Sequence, residues 1–130
     1  MIRRLIAISN DEKLSTQMTI LQLIKEYIPQ ALSDIDTNVE NDDHFMASIF
    51  VAHYKDCIDA HDERGMENCL LMANDPRLYS DESAKEAMET TAFISIFDEG
   101  LAYSEPFVSM LASDARKAYE RTVAIWNTRP

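Results

Sequence analysis

The chain has 130 residues, of which 46% are hydrophobic and 27% charged, with only two glycines and four prolines. This composition is typical of one globular domain over residues 1–130 and excludes collagen-like, low-complexity and strongly disordered chains. Twenty-three acids against twelve basic residues give a formal net charge of -11, which repels nucleic-acid phosphates and anionic lipid. We therefore expect a basic protein partner, with no direct nucleic-acid binding and no membrane association.

The first ten residues form the first predicted element, a short helix or a lone strand. They begin with a basic stretch, but the apolar run over residues 5–8 is too short for the core of a signal peptide. No segment reaches the 18 apolar residues of a membrane span. Cys57 and Cys69 are the only cysteines, and we expect them to be reduced thiols in a cytoplasmic protein.

Helical periodicity dominates the rest of the chain. Apolar residues recur at steps of three and four over residues 15–28, and Pro29 ends this first helix or lets it resume over residues 30–35. A second helix is predicted from a cap at Asp42 or Asp43 to a stop at Arg64-Gly65. A third, over residues 66–74, would form a hairpin with the second.

Two further helices are predicted in the second half of the chain. One begins at Ser80-Asp81-Glu82 and ends at residues 98–100, and the last begins at Ser104-Glu105-Pro106 and continues to the end with Trp126 in the core. The scarcity of glycine and the absence of Asn-Gly and Asp-Gly pairs argue against an all-β fold. We predict an all-α domain of about five helices arranged as stacked antiparallel helical hairpins.

One group of residues could bind a metal. His53, Cys57 and His61 follow one side of the second helix at steps of four, and zinc accepts these ligand types, with Cys69 as the nearest further donor. The same positions also belong to the apolar stripe of that helix. We favour the structural interpretation and expect no metal and no cofactor.

Signatures of catalysis are missing from the sequence. It contains no Gly-x-Ser-x-Gly nucleophile motif, no phosphate-binding glycine loop and no Glu-x-x-His repeat of the di-iron type. We therefore expect a protein that is not an enzyme.

Acidic residues concentrate in the connection before the second helix. No basic residue lies between Lys25 and Lys55, whereas six acids do, and five of these fall within residues 34–43. The stretch is either a solvated face or a docking surface for a cationic protein, with aromatic anchors supplying affinity. The candidate partner-binding residues are Asp34, Asp36, Glu40, Asp42, Asp43, Tyr79 and Tyr103.

The order of several short segments is distinctive. They are Leu-Ile-Lys-Glu-Tyr-Ile-Pro at 23–29, an acidic linker, Phe-Val-Ala-His-Tyr at 50–54, Asn-Cys-Leu-Leu-Met at 68–72, Phe-Ile-Ser-Ile-Phe-Asp-Glu-Gly at 93–100, and Trp126. Over residues 15–126 this order resembles small acidic all-helical bacterial proteins of HEAT-like architecture, regarded as toxin-immunity proteins. The resemblance implies no catalytic residues.

These observations lead to two hypotheses about function. The first is a cytoplasmic immunity protein that binds and blocks a basic bacterial toxin domain, such as a nuclease, because a nuclease site must attract phosphate. The alternative is a helical adaptor or regulatory module that binds its partner in a groove between hairpins. The first hypothesis places the interface on residues 34–43 and predicts strong salt dependence, whereas the second predicts weak salt dependence.

Overall fold

The computed structural model describes residues 19–33, 35 and 42–128. The regular α-helices are α1 Thr19–Tyr27, α2 Asp43–Asp59, α3 Glu63–Ala73, α4 Arg77–Ser80, α5 Glu82–Ala87, α6 Ile94–Asp98, α7 Leu101–Ser109 and α8 Ser113–Asn127. A 3-10 helix, Pro29–Leu32, follows α1, and a π-helical segment, Met88–Phe93, joins α5 to α6 in one continuous helix.

The all-α prediction is confirmed for this part of the chain, in which no strand occurs. The described residues contain six helices rather than about five, when α5 to α6 is counted as one helix and the single turn of α4 is set aside. The predicted first element, residues 1–10, lies outside the described residues. Helix α1 falls within the predicted span 15–28, and the predicted resumption after Pro29 is a 3-10 helix.

Aspartate side chains cap the N-termini of three helices, α2, α3 and α5. The Asp42 carboxylate accepts a hydrogen bond from the backbone N–H of Phe45 at 2.7 Å, Asp62 accepts one from Gly65 at 2.9 Å, and Asp81 accepts one from Ser83 at 3.1 Å. Such caps satisfy N–H groups that have no partner within the helix. The predicted helix starts near Asp42 and at Asp81 are therefore confirmed.

The predicted end of the second helix at Gly65 is wrong. Helix α2 ends at Asp59, and α3 begins at Glu63. The chain turns at His61, which has a φ of 56°. The Asp62 side chain caps α3, which begins at Glu63. Gly65 therefore lies inside α3 and does not end α2.

The prediction of a single last helix is also wrong, since α7 and α8 are separated by residues 110–112. Helix α7 already begins after Gly100, whose φ of 104° suits glycine, so Pro106 lies inside it. The Asn74 side chain donates to the carbonyl of Met110 at 3.1 Å and accepts from the N–H of Ala112 at 2.7 Å. These bonds stabilise the break between α7 and α8, which the local sequence does not predict.

The core is built around α2, which packs against α1, α3 and the π-helical segment. Its centre is a cluster of aromatic rings from Phe50, Tyr54, Phe93, Phe107 and Tyr119. The prediction that Trp126 belongs to the core is wrong, because Trp126 is 37% exposed. The last buried residue of α8 is Tyr119, so the end of this helix extends beyond the core.

Among the described residues, no helix combines the length and apolar character that crossing a membrane requires.

Candidate functional site

The predicted acidic interface is only partly within the described residues. Asp34, Asp36 and Glu40 lie outside them. Asp42 is exposed, and one of its carboxylate oxygens caps α2. Of the two loop acids within the described residues, Asp42 is the one whose exposure agrees with presentation to a partner.

Asp43 requires a correction, because its residue is only 3% exposed. Its Oδ2 atom accepts a hydrogen bond from the Ser83 hydroxyl at 2.6 Å, which joins the start of α2 to α5. Burial raises the pKa of this carboxyl above its usual range. Asp43 acts in the contact between two helices, and its side chain is not presented at the surface.

Tyr79 was also expected to be presented, and it is not. It lies in α4, half-buried against the core, and its hydroxyl donates a hydrogen bond to the carbonyl oxygen of Ala73. This tyrosine therefore fixes α4 against the end of α3, and its position gives no support to a role as an anchor.

Tyr103 is half-buried in α7 and contributes to a mixed surface cluster. Its hydroxyl donates to Asp59 Oδ1 at 2.7 Å, and Lys55 Nζ lies 5.8 Å from the centre of its ring. Lys55 also forms an ion pair of 2.7 Å with Glu99. We refer to Lys55, Asp59, Glu99 and Tyr103 as the Tyr103 cluster.

A second acidic region adjoins this cluster through Asp59. Where α2 ends and α3 begins, five exposed acids accompany a single arginine, Arg64. We call this region the α2–α3 acidic surface; its acids are Asp56, Asp59, Asp62, Glu63 and Glu67. Leu101, close to Glu99 and Tyr103 in the chain, is 74% exposed. Acidic charge, an aromatic ring and an apolar side chain therefore occur near one corner of the molecule.

The proposed metal-ligand types also converge, although in a different set from the predicted one. The ligand atoms of His53, Cys57 and Cys69 all lie within 4.8 Å of one another. His61 is exposed at the turn after α2 and does not belong to this group. The sequence identified Cys69 only as a further donor, because the step-of-four pattern along α2 favoured His61.

Both cysteines of this group are buried thiols. Burial raises the pKa of the Cys57 thiol and, more strongly, that of Cys69. A thiol with a raised pKa is a poor nucleophile at neutral pH, because the thiolate is the reactive form. The pair therefore gives no support to cysteine nucleophilic catalysis.

Gly65 allows Cys57 and Asp62 to pack closely against α3. A Cβ atom added at this residue would lie 2.5 Å from Cys57 Sγ and 2.6 Å from Asp62 Oδ2. Beside it is a cavity of about 220 Å³. The cavity is lined by Ile28, Gln30, His53, Asp62, Arg64, Gly65 and Asn68.

Replacing Gly65 with alanine should lower the free energy of unfolding by about 1–2 kcal/mol. Alanine gains about 1 kcal/mol in helix propensity, but the clash with Cys57 and with the Asp62 cap costs about 2–3 kcal/mol. Urea denaturation followed by circular dichroism measures the difference. Glu67→Ala, on the exposed side of the same helix, is the control and should change stability by less than about 0.5 kcal/mol. A stabilised Gly65→Ala variant would contradict the close approach.

A separate groove lies between the π-helical segment and α8. Its volume is about 330 Å³, and Ile125, 61% exposed, and Trp126 form part of its wall. An ion pair of 2.7 Å between Arg121 and Glu89 lies in the same wall. π-helical segments often occur at functional sites, so this groove is a second candidate for binding.

No protein-family model, curated protein or solved structure matches this chain.

Proposed function

We propose that this protein is an inhibitor of the toxin-immunity type, which binds a basic toxin domain, such as a nuclease, and blocks its active site. The observation that carries the proposal is the α2–α3 acidic surface next to the Tyr103 cluster. An acidic protein can occupy the positive potential that a nuclease maintains for its phosphate substrate. The resulting complex needs no catalytic group on the inhibitor.

The distribution of ion pairs supports an attractive field on this face. Of the eight Lys and Arg among the described residues, three form an ion pair with an acid: Lys55, Arg77 and Arg121. No acid of the α2–α3 acidic surface lies in an ion pair with a described residue. Their charge remains available to accelerate encounter with a cationic protein.

Affinity requires apolar contacts in addition to charge. Interfaces concentrate their binding energy in a few buried aromatic or apolar anchors. Tyr103 and the exposed Leu101 supply such groups beside the acids, and Asp42 marks the described edge of the acidic loop predicted over residues 34–43. We propose that the partner contacts this loop, the α2–α3 acidic surface, or both.

Two finer parts of the proposal concern location and architecture. Buried cysteines held as thiols suit a reducing compartment, and we place the protein in the cytoplasm. The stacked-hairpin arrangement stays a prediction, supported by the packing of α2 on α3.

The direct test is protection of cells. The product of the adjacent gene is expressed with and without this protein, and the proposal predicts that co-expression restores growth and that the two proteins purify as a complex. A toxic neighbour that kills equally well in the presence of this protein, with no complex formed, would refute the inhibitor proposal.

Charge-neutralising variants locate the interface on that complex. One variant carries Asp36→Asn, Glu40→Gln and Asp42→Asn, and another carries Asp56→Asn, Asp59→Asn and Glu63→Gln. At low salt at least one should slow association about 10-fold, because steering depends on local charge. Stopped-flow mixing measures the rate.

The matched control removes three exposed acids elsewhere, with Glu86→Gln, Asp114→Asn and Glu120→Gln. This control should slow association by less than about twofold, because it makes the net charge less negative without changing either proposed surface. A control that slows association as much as the other variants would show that only the overall charge matters, and would remove both proposed surfaces.

The alternative function, a helical adaptor or regulatory module, is favoured by the groove between the π-helical segment and α8. Binding there would depend on Ile125 and Trp126, and association would change little between low and high salt, because apolar contacts are not screened. A Trp126→Ala variant that loses binding, while all acidic variants retain it, would support the adaptor and exclude the inhibitor interface proposed above.

A further inference from the structure

We propose that His53, Cys57 and Cys69 form a zinc-binding site that joins α2 to α3. This inference goes beyond the proposed function and does not depend on it, because blocking a toxin requires no metal. It rests on three observations: the convergence of the ligand atoms, the cavity that His53 lines beside them, and the excess of acids near the site.

The positions of the ligands follow from the helical hairpin. His53 and Cys57 are one turn apart on α2, so their side chains lie on the same face, and Cys69 reaches them from α3. The three ligand atoms lie within 4.8 Å of one another. With Zn–S bonds of about 2.3 Å, two sulfurs of a tetrahedral site are about 3.8 Å apart. Small side-chain rotations, moving atoms by about 1 Å, therefore close the site.

The chemical types of the three ligands favour zinc over other common metal ions. Two thiolates and an imidazole are ligands that zinc prefers, whereas magnesium and calcium require oxygen donors. Binding releases one proton from each thiol to solvent and forms two Zn–S bonds, so the two negative sulfurs balance the charge of Zn²⁺. This neutrality matters because Cys57 and Cys69 are buried, where unbalanced charge is costly.

Of the three ligands, His53 is the one that lines a cavity, so the metal and a water ligand would enter from the His53 side. His53, Asp62 and Gly65 line the cavity of about 220 Å³, which has room for a water as the fourth ligand. Asp62 Oδ2 lies 4.0 Å from Cys57 Sγ, while its Oδ1 caps α3. A carboxylate in this position can hold the metal-bound water by a hydrogen bond.

Acids outnumber basic residues near the site, where Arg64 also lines the cavity. Asp56, Asp59 and Glu63 are exposed close to the ligands in the chain, and their summed field raises the local concentration of divalent cations. The same acids could hold a metal loosely by themselves. The experiment must therefore distinguish thiolate ligation from surface binding.

The test uses the full-length, fully reduced protein without a histidine tag, titrated with Co²⁺ and then with Zn²⁺. The site predicts one metal per chain, a sulfur-to-cobalt charge-transfer band and the visible bands of tetrahedral Co²⁺, all lost when zinc displaces cobalt. Competition with a chromophoric chelator measures the zinc affinity. Zinc should also raise the melting temperature, because it joins two helices only in the folded state.

Variants assign the ligands. His53→Gln should weaken zinc binding by about 100-fold or more, since even a residue that only supports a ligand is worth 10–100-fold. His53 is only half-buried, so this variant should fold, which circular dichroism verifies. Cys57→Ser should lose the charge-transfer intensity of one thiolate. The matched control is His61→Gln on the same hairpin, and it should bind zinc like the unmodified protein.

Three results would each overturn the proposal. The first is metal binding without a thiolate-to-cobalt band, which means that surface acids hold the ion. The second is a folded His53→Gln variant with unchanged affinity and melting-temperature shift. The third is a loss of binding in His61→Gln equal to that in His53→Gln.

Discussion

Replacing Phe107 with alanine should lower the free energy of unfolding by about 3–5 kcal/mol, as expected for a large aromatic side chain removed from a core. Phe107 is fully buried, and its ring centre lies 5.3 Å from that of Tyr54, 5.9 Å from Phe93 and 6.0 Å from Tyr119. Its loss therefore leaves a cavity where α2, α7, α8 and the π-helical segment meet. Small domains have about 5–15 kcal/mol in total, so this loss should be a large fraction of the stability.

Urea denaturation followed by circular dichroism measures this effect. The matched control is Leu101→Ala, in the same helix, whose side chain is exposed and whose removal should change stability by less than about 0.5 kcal/mol. A Phe107→Ala variant that loses less than about 1.5 kcal/mol would show that the five-ring cluster is not the centre of the core.

Acidification from pH 4 to pH 2 should remove about 2 kcal/mol of stability through one residue, Asp75. Hydrogen bonds from the Arg77 side chain, reinforced by the Arg77 backbone N–H and the Tyr27 hydroxyl, lower the pKa of the Asp75 carboxyl to about 2. The carboxylate is buried between α3 and α4, and Tyr27 donates to it from α1 at 2.8 Å. It therefore connects three helices.

The sign of the effect follows from the direction of the shift. Because the pKa is lower in the folded state than the usual 3.8, the folded protein favours the charged form. The stabilisation is fully present above the unfolded pKa and disappears as the pH falls toward 2. Asp43 contributes in the opposite direction, since burial raises its pKa, and its protonation on acidification favours the folded state.

A comparison of variants isolates the contribution of Asp75. Denaturation at a series of pH values should give Asp75→Asn a flatter stability curve below pH 4 and a lower stability at pH 7, by about 2 kcal/mol. Asp98→Asn, which alters an exposed carboxylate outside this network, should reproduce the curve of the unmodified protein. If Asp75→Asn keeps the same acid dependence, other carboxyls account for it.

At the hairpin of α2 and α3, the group of residues that converge differs from the group predicted from the sequence. A regular spacing along one helix favoured His53, Cys57 and His61 as a group. That spacing assumes that the helix continues through residue 61. Because α2 ends at Asp59 and the chain turns at His61, the second histidine leaves the face, while Cys69 on the next helix reaches it.

The aromatic candidates show a related difficulty. Tyr79 and Tyr103 were expected in connections between helices, where side chains are often presented. The structure places them in α4 and α7 and gives each hydroxyl a partner, Ala73 and Asp59 respectively. Local sequence does not reveal the partner of Tyr103, because Tyr103 and Asp59 lie 44 positions apart.

The sequence by itself determined the properties that depend on composition and on neighbouring residues. These are the all-α class, the excess of acids, the helix starts at Asp42 or Asp43 and at residues 80–82, and the end of a helix at residues 98–100. Each follows from a period of 3.6 residues, from a side chain that bonds to backbone within three residues, or from the backbone freedom of glycine.

Only the tertiary structure decided the features that depend on contacts between distant segments. Asn74 stabilises the break between α7 and α8, Ser83 pairs with the buried Asp43, and Gly65 makes room for Cys57 beside the Asp62 cap. The burial of Asp43 and the exposure of Trp126 likewise depend on how the helices pack together. The energy of these contacts exists only once the helices have packed, and so the hairpin that unites His53, Cys57 and Cys69 could not be derived from the spacing along one helix.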